Sequence, residues 1–191
     1  MAKDLSLSIK QYFLRLGAGI FVPGFGQRVE RRLASCYNRA MVIDFHTHVL
    51  PPEVKKDRSR YLERDPLFAT LYSSPKARVA TAEELIESMD RHGVEVSVIL
   101  NAGWSQPELC VETNNYILEA VERYPRRLVG FCMVPPGSIE VAVGEVERCA
   151  RAGIRGVGEI RPDTQLFDLA DRGVMAPLVE VMVKYLSLIH I

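Results

Sequence analysis

Residues 41–52 read MVIDFHTHVLPP, an apolar run that ends in two histidines and is then broken by two prolines. In an extended strand successive side chains alternate between faces, so Asp44, His46 and His48 share one face, with both imidazoles at the strand's carboxyl end. Imidazole binds zinc, iron and similar ions, and two imidazoles on one strand can converge on a single ion. The pattern predicts a metal site at His46 and His48; the alternative is an exposed pair of loop histidines.

The composition is typical of one soluble globular domain. The chain has 191 residues, of which 48% are apolar and 25% charged, and its formal net charge is zero. A neutral chain has no global field to attract nucleic acid or an anionic membrane. No segment reaches the ~20 consecutive apolar residues of a membrane span. We therefore expect no nucleic-acid partner and no membrane association.

The four cysteines indicate a reducing compartment. Cys36, Cys110, Cys132 and Cys149 show no CxxC spacing and lie in helical or strand-like contexts. Buried thiols are the expected state of such cysteines, rather than disulfides. This favours a cytoplasmic location.

Residues 1–40 differ from the rest of the chain. They contain seven Lys and Arg against two acids, a net charge of +5, which leaves −5 on the remaining residues of the neutral chain. Two short helices are predicted here, separated by a glycine-rich break at residues 17–24. We interpret residues 1–40 as a helical surface appendage of unknown role, or as translation begun upstream of a true start at Met41.

From residue 41 onward, apolar strands alternate with capped helices. Strands are predicted at 42–47, 94–100, 128–134 and 154–160. Capping boxes at Thr81 and Ser105 begin two of the helices, a third begins at Ser138, and a fourth covers 174–185; a polar insertion occupies 53–80. Four consecutive strand-helix units predict a parallel sheet, either doubly wound or part of a (β/α)8 barrel. No glycine-rich phosphate loop follows the first strand, and histidines at the carboxyl end of that strand favour the barrel.

The string IDFHTHVLP at residues 43–51 resembles the opening of the amidohydrolase superfamily. The resemblance covers about residues 41–185 and is strongest to the amidohydrolase-related group that includes aminocarboxymuconate-semialdehyde decarboxylase. It implies a (β/α)8 barrel with one or two divalent metal ions, for which His46 and His48 are the first-strand ligands. Family members usually add histidines from strands five and six and an aspartate from strand eight.

The length predicts only the first half of such a barrel. A complete barrel takes about 250 residues, and residues 41–185 supply four strand-helix units, before any of the remaining family ligands. The fold class expected is therefore α/β, an incomplete (β/α)8 metal-dependent hydrolase barrel with a helical N-terminal appendage. The apolar tail at 186–191, LSLIHI, breaks the pattern. We interpret it as an artefact joined to an incomplete gene; the alternative is a genuine short apolar terminus.

Glu159 is the candidate third ligand. The fourth strand ends in GVGEIRPD at residues 156–163, and a carboxylate there would face the barrel mouth. Two histidines and a glutamate would leave one position of a catalytic zinc open for water, and Glu159 could also orient that water as a catalytic group. The Gly-Glu-Ile string is also similar to one in TatD-like metal-dependent deoxyribonucleases. The alternative is a rim carboxylate paired with Arg161 or Arg155.

Three further residues are candidates for the site. Trp104, on the loop after strand two, could stack on a substrate or pack beneath the insertion. Arg161 could bind a substrate carboxylate or form a structural salt bridge. Asp44 could accept a hydrogen bond from a ligand imidazole, or from a neighbouring backbone group.

The resemblance implies a metal-dependent enzyme with a small-molecule substrate. A divalent ion, with zinc favoured over manganese or iron, would activate water and polarise a carbonyl group. Hydrolysis of an amide, ester or lactone is the leading hypothesis, non-oxidative decarboxylation the second, and a TatD-like nuclease the third. A fourth hypothesis is a catalytically inactive fragment, which would self-associate as a homo-oligomer or misfold because a half barrel leaves two open sheet edges and an apolar helix face.

Overall fold

The computed structural model describes residues 41–135, 137–185 and 188–189. Within these ranges parallel strands alternate with helices. The strands are β1 (Ile43–His48), β2 (Val96–Leu100), β3 (Leu128–Cys132), β4 (Gly156–Val157) and β5 (Leu188–Ile189). The helices are α1 (Pro52–Lys56), α2 (Arg58–Arg64), α3 (Pro66–Tyr72), α4 (Ala82–His92), α5 (Pro107–Arg123), α6 (Ile139–Arg151), α7 (Pro162–Gln165) and α8 (Arg172–Tyr185). The predicted appendage at 1–40 lies outside the described residues.

The strands form one parallel sheet in the order β1-β2-β3-β4-β5. Parallel neighbours in chain order, joined by helices, are the arrangement of the first strand-helix units of a (β/α)8 barrel, which confirms the predicted fold. In this arrangement the carboxyl ends of all strands meet at one edge of the sheet. That edge is where a barrel carries its active site.

β4 is much shorter than the predicted strand at 154–160. Only Gly156 and Val157 pair with β3. Gly158 then adopts a φ of +149°, a conformation that glycine reaches without a Cβ penalty, and the ladder ends. Glu159 therefore lies just beyond the strand, on the segment that leaves the sheet.

The predicted tail is only partly described. Leu188 and Ile189 lie parallel to β4 as β5, while residues 186, 187, 190 and 191 lie outside the described ranges. The interpretation of 186–191 as an artefact stays a prediction.

The ends of α4 follow the sequence pattern. Thr81 accepts a hydrogen bond from the Glu84 N–H, and the Glu84 carboxylate accepts one from the Thr81 N–H, which is the predicted capping box. Gly93 ends the helix in the left-handed conformation with a φ of 70°. The cap and the terminating glycine fix where the chain enters β2.

The capping box predicted at Ser105 is wrong. α5 begins after Gln106 and has no side-chain cap. The Ser105 N–H and hydroxyl instead donate to the carboxylate of Asp65, at 2.8 Å each. Asp65 is fully buried and also caps α3 by accepting from the Leu67 and Phe68 N–H groups. One buried carboxylate thus ties the insertion to the loop after β2, which a local sequence pattern cannot reveal.

The insertion at 53–80 is folded into helices and contributes to a hydrophobic core. Its three short helices bury apolar residues that pack on the loop after β2 and on the first turn of α5. The buried residues of this cluster are Leu50, Val54, Tyr61, Phe68, Val79, Ala102, Trp104, Leu109, Cys110 and Met133. The insertion therefore covers part of the carboxyl edge of the sheet.

A second, larger core fills the space between the sheet and the helices α4, α5, α6 and α8. It contains Cys132 and Cys149, and Cys110 lies in the neighbouring cluster under the insertion. All three are buried free thiols, as predicted, and Cys36 lies outside the described residues. Burial, followed by the nearby charge of Asp65, raises the pKa of the Cys110 thiol well above its usual range.

β1, at the edge of the sheet, carries exposed apolar side chains. Ile43 and Phe45 leave 51% and 55% of their surface accessible. This exposed edge agrees with the predicted self-association, which stays a prediction. Among the described residues, none of the helices has the length and apolar character needed to span a bilayer.

Candidate metal centre

His46 and His48 lie side by side at the carboxyl end of β1, as the alternation of the strand predicts. Their Nε2 atoms are 2.8 Å apart and their ring centroids 4.7 Å apart. The side chains are 40% and 30% exposed, so both nitrogens face a region open to solvent. The two imidazoles therefore converge on one point at the mouth of the sheet.

Glu159 reaches the same point from the exit of β4. Its Oε2 atom lies 3.4 Å from the Nε2 atom of His46 and 3.4 Å from that of His48, and its side chain is 20% exposed. The three candidate ligand atoms all lie within 4.8 Å of one another. β1 and β4 are not neighbours in the sheet, so it is the curvature of the sheet that brings their carboxyl ends together.

The donor set and its spacing fit a divalent ion. Ligand atoms at the ~2.0–2.2 Å distances typical of a tetrahedral zinc ion lie roughly 3.3–3.5 Å from each other. Both His–Glu separations are 3.4 Å. The His–His separation of 2.8 Å is shorter and requires a small rotation of one ring. Two neutral imidazoles and one carboxylate would also leave a single positive charge on a divalent ion, which favours an anionic ligand in the open position.

The backbone carbonyl of Asn101 orients the His48 ring. Asn101 directly follows β2, and its oxygen lies 3.0 Å from the Nδ1 atom of His48. Because a carbonyl oxygen can only accept, Nδ1 carries a proton, and in the neutral ring Nε2 keeps its lone pair for a metal ion. A ligand histidine commonly has such a partner on its other nitrogen. Sequence reasoning missed this residue because a main-chain carbonyl has no residue-type signature.

The charge state of Glu159 follows from its neighbours. The hydrogen bond that a protonated His48 ring donates is the largest influence and lowers the pKa of Glu159, while burial acts in the opposite direction. His46 and Arg161 lower it further. The carboxylate is therefore ionised at neutral pH, as a metal ligand must be.

Tyr72 lies close enough to the site to sense its charge. Burial, followed by the negative charge of Glu159, raises the pKa of the Tyr72 phenol. A neutral phenol at the end of α3 keeps its proton and is a hydrogen-bond donor. No sequence pattern indicated this residue, since it lies within the stretch interpreted as a polar insertion.

Arg161 lies at the rim and is engaged by Asp163. Its Nε and one terminal nitrogen donate to the two carboxylate oxygens of Asp163, at 3.1 and 2.9 Å. Another terminal nitrogen is 3.9 Å from a carboxylate oxygen of Glu159, which is the pairing that the alternative interpretation, a rim carboxylate beside Arg161, expected. The guanidinium forms the structural salt bridge, and a role in binding a substrate carboxylate stays a prediction.

Asp44 does not bond to an imidazole in this structure. Its Oδ1 atom accepts from the backbone N–H of His46 at 3.3 Å, which corrects the predicted contact with a ligand ring. The pairing register with β2 shifts by one residue between Asp44 and Thr47. This irregularity lies next to Asp44 and interrupts the strict alternation of faces on β1.

Trp104 is buried and presents no surface to a ligand. Its exposure is 0%, and its ring stacks on Phe68 with centroids 4.7 Å apart. This corrects the predicted substrate contact in favour of the alternative, packing beneath the insertion. The insertion helices bury enough apolar surface to enclose the indole completely.

The chain matches a family model described as Amidohydrolase over residues 43–186. It also shares its fold with solved structures. A 5-carboxyvanillate decarboxylase from Novosphingobium aromaticivorans, with bound manganese and 3-methoxy-4-hydroxy-5-nitrobenzoic acid, gives a TM-score of 0.65 at 20% identity over 78% of this chain and 49% of that one. A 4-oxalomesaconate hydratase from Rhodopseudomonas palustris gives 0.57 at 21% identity over 78% and 51%.

A third structure, a 2,6-dihydroxybenzoate decarboxylase with bound 2,6-dihydroxybenzoate, gives a TM-score of 0.54 at 19% identity over 79% of this chain and 50% of that one. This chain thus spans about half the length of the structures it resembles. The family match includes β1 with both histidines, the exit of β4 with Glu159, and every helix between them. On this evidence the chain belongs to the amidohydrolase family.

Proposed function

We propose that His46, His48 and Glu159 bind one divalent metal ion, and that this chain supplies the metal-holding half of an enzyme that acts on a small molecule. The observation that carries the proposal is the convergence of three ligand atoms within 4.8 Å at the carboxyl edge of a parallel sheet. The ionised state of Glu159 and the proton on Nδ1 of His48 support it, because both leave the inward-facing atoms free to donate electron pairs.

A bound divalent ion would supply Lewis acidity, polarising a carbonyl or carboxyl oxygen and increasing the acidity of water. His46, His48 and Glu159 would occupy only part of the coordination sphere of that ion. Three protein ligands leave coordination positions for an incoming small molecule. Tyr72 adds a neutral hydroxyl donor, and the Arg161 guanidinium, paired with Asp163, lies 3.9 Å from Glu159.

Zinc and manganese are the two metals to distinguish. The ligand set of two imidazoles and one carboxylate suits zinc, which the sequence favoured. The bound manganese of the Novosphingobium structure supports manganese instead. Metal analysis of the chain purified from cells, followed by competition between the two ions, will decide between them.

Non-oxidative decarboxylation of a small hydroxybenzoic acid is the reaction class we now place first. Two of the structures with the same fold are decarboxylases that hold ligands of this kind. The single positive charge left on a divalent ion by this three-ligand set favours an anionic substrate. Hydrolysis, placed first on sequence alone, is the second candidate, supported by the open position that two histidines and a glutamate leave for water.

Ligand binding tests the reaction class without requiring turnover. This matters because the chain spans only about half the length of the solved decarboxylases. The metal-loaded chain is titrated with 3-methoxy-4-hydroxy-5-nitrobenzoic acid, whose nitrophenol absorbs visible light. We expect a metal-dependent spectral shift that a chelator reverses. Preferential binding of an alkylphosphonate ester, a mimic of the tetrahedral state in hydrolysis, would favour the hydrolase instead.

Glu159→Gln tests whether this carboxylate is a ligand or only a rim group. The substitution keeps the size of the side chain and removes its negative charge, so we expect metal affinity to fall by about 10-fold or more, or at least ~1.4 kcal/mol. Isothermal titration with zinc gives the comparison, and Glu140→Gln, at an exposed position of α6, is the matched control. Unchanged affinity with a lowered unfolding temperature would assign Glu159 to the Arg161 salt bridge.

A further inference from the structure

A buried amide on α5 joins the carboxyl ends of two strands. The Oδ1 atom of Asn114 accepts from the Asn101 side-chain amide at 3.1 Å and from the Met133 N–H at 2.8 Å. Its Nδ2 atom donates to the Met133 carbonyl at 2.7 Å and to Glu145 at 2.8 Å. An asparagine side chain offers two acceptor lone pairs and two N–H donors, so Asn114 uses its full capacity. We call these four residues the Asn114 network.

The network is held rigidly on its far side. Glu145 is 5% exposed and also accepts two hydrogen bonds from Arg148, at 2.8 and 2.6 Å. Burial alone would raise the pKa of Glu145, but the hydrogen bonds from Arg148 and Asn114 outweigh it and the pKa is lowered. The ionised carboxylate is a strong acceptor that anchors Asn114 to α6.

Asn101 connects this network to the candidate metal centre. Its side chain is bonded to Asn114, and its main-chain carbonyl accepts from Nδ1 of His48 at 3.0 Å. Asn101 and Asn114 are both fully buried, so water does not compete for these bonds. The position of the carbonyl that orients His48 therefore depends on the amide of Asn114.

We propose that Asn114 is a positioning residue for the metal centre, acting through Asn101 to fix the orientation of His48 without touching the ion. The consequence for metal affinity rests on the proposed function of His46, His48 and Glu159. Removal of outer partners of metal ligands typically weakens binding about 10- to 100-fold. We expect a loss of that size when Asn114 can no longer hold Asn101.

The test compares three variants of the full 191-residue chain. Asn114→Leu removes the network at nearly constant volume, and Asn101→Ala removes only the bond between the two amides, which leaves the fold less disturbed. Ile117→Ala is the matched control, because Ile117 is fully buried on the same helix and lies outside the network. Zinc affinity is measured by chelator competition, and unfolding by urea.

The expected result is about 10-fold or more loss of zinc affinity in Asn114→Leu, a smaller loss in Asn101→Ala, and affinity within about 3-fold of the parent in Ile117→Ala at a similar loss of stability. Parent-like affinity in both asparagine variants would overturn the proposal. So would an equal loss in Ile117→Ala, because the effect would then follow stability alone.

A second measurement keeps the inference separate from the metal proposal. Nitrogen-15 NMR of metal-free protein reports which ring nitrogen of His48 carries the proton. We expect the Nδ1–H form to dominate in the parent and Ile117→Ala, and to mix with the Nε2–H form in Asn114→Leu and Asn101→Ala. If the parent binds no metal, this result alone decides: identical tautomer populations in all four proteins would overturn the positioning role.

Discussion

The double variant His46→Ala with His48→Ala will bind no divalent metal ion under conditions in which the parent chain binds about one. Each imidazole contributes one inward-facing Nε2 atom to a cluster of three ligand atoms. Without them only the carboxylate of Glu159 remains, and a single carboxylate does not hold zinc or manganese at micromolar concentration. Metal content after dialysis, measured by plasma mass spectrometry, gives the result directly.

His92→Ala is the control for this prediction. His92 is an exposed histidine at the end of α4, where its Nδ1 atom bonds to the Ser88 carbonyl. Its removal should leave metal content unchanged, while the double variant should lose it with little change in folding, because His46 and His48 are both partly exposed. Equal metal content in the parent and the double variant would refute the proposed centre.

The parts of the site that were predictable are those with a strong local period. β1 places His46 and His48 together because side chains two apart on a strand share a face, whatever the rest of the fold does. Thr81 and Glu84 form their capping box for the same reason, since both partners lie within one turn of helix. Alternation of strands and helices was then enough to predict the parallel order, which connection rules restrict to few topologies.

The parts that could not be predicted depend on contacts between distant segments. Asp65 bonds to Ser105 across 40 positions, and this long-range contact displaced the capping box expected locally. Asn101 acts on His48 through a main-chain atom, and Tyr72 reaches the site only because the insertion folds over the sheet. Asp44 bonds to the backbone N–H of His46 rather than to an imidazole, beside a register shift that the alternation of the strand does not reveal.

Truncation of Trp104 is expected to have the second large effect, a loss of folding stability. We expect Trp104→Ala to lower the free energy of unfolding by about 3–5 kcal/mol, the usual cost of truncating a buried aromatic residue to alanine. The indole is fully buried and stacks on Phe68, and its centroid lies 6.1 Å from that of the Tyr61 ring. Urea denaturation followed by circular dichroism measures the loss, since Trp104 is the only tryptophan of the chain.

Trp104→Phe separates packing from polar contacts. Within the described residues the indole N–H has no hydrogen-bond partner, so phenylalanine sacrifices no bond and keeps a ring against Phe68. We therefore expect Trp104→Phe to lose clearly less stability than Trp104→Ala, and Val183→Ala, at a 67% exposed position on α8, to change it by less than about 0.5 kcal/mol. Zinc affinity should stay the same in Trp104→Phe. If Trp104→Ala kept parental stability but weakened binding of the nitrobenzoic acid, the indole would contact the ligand and the packing assignment would be wrong.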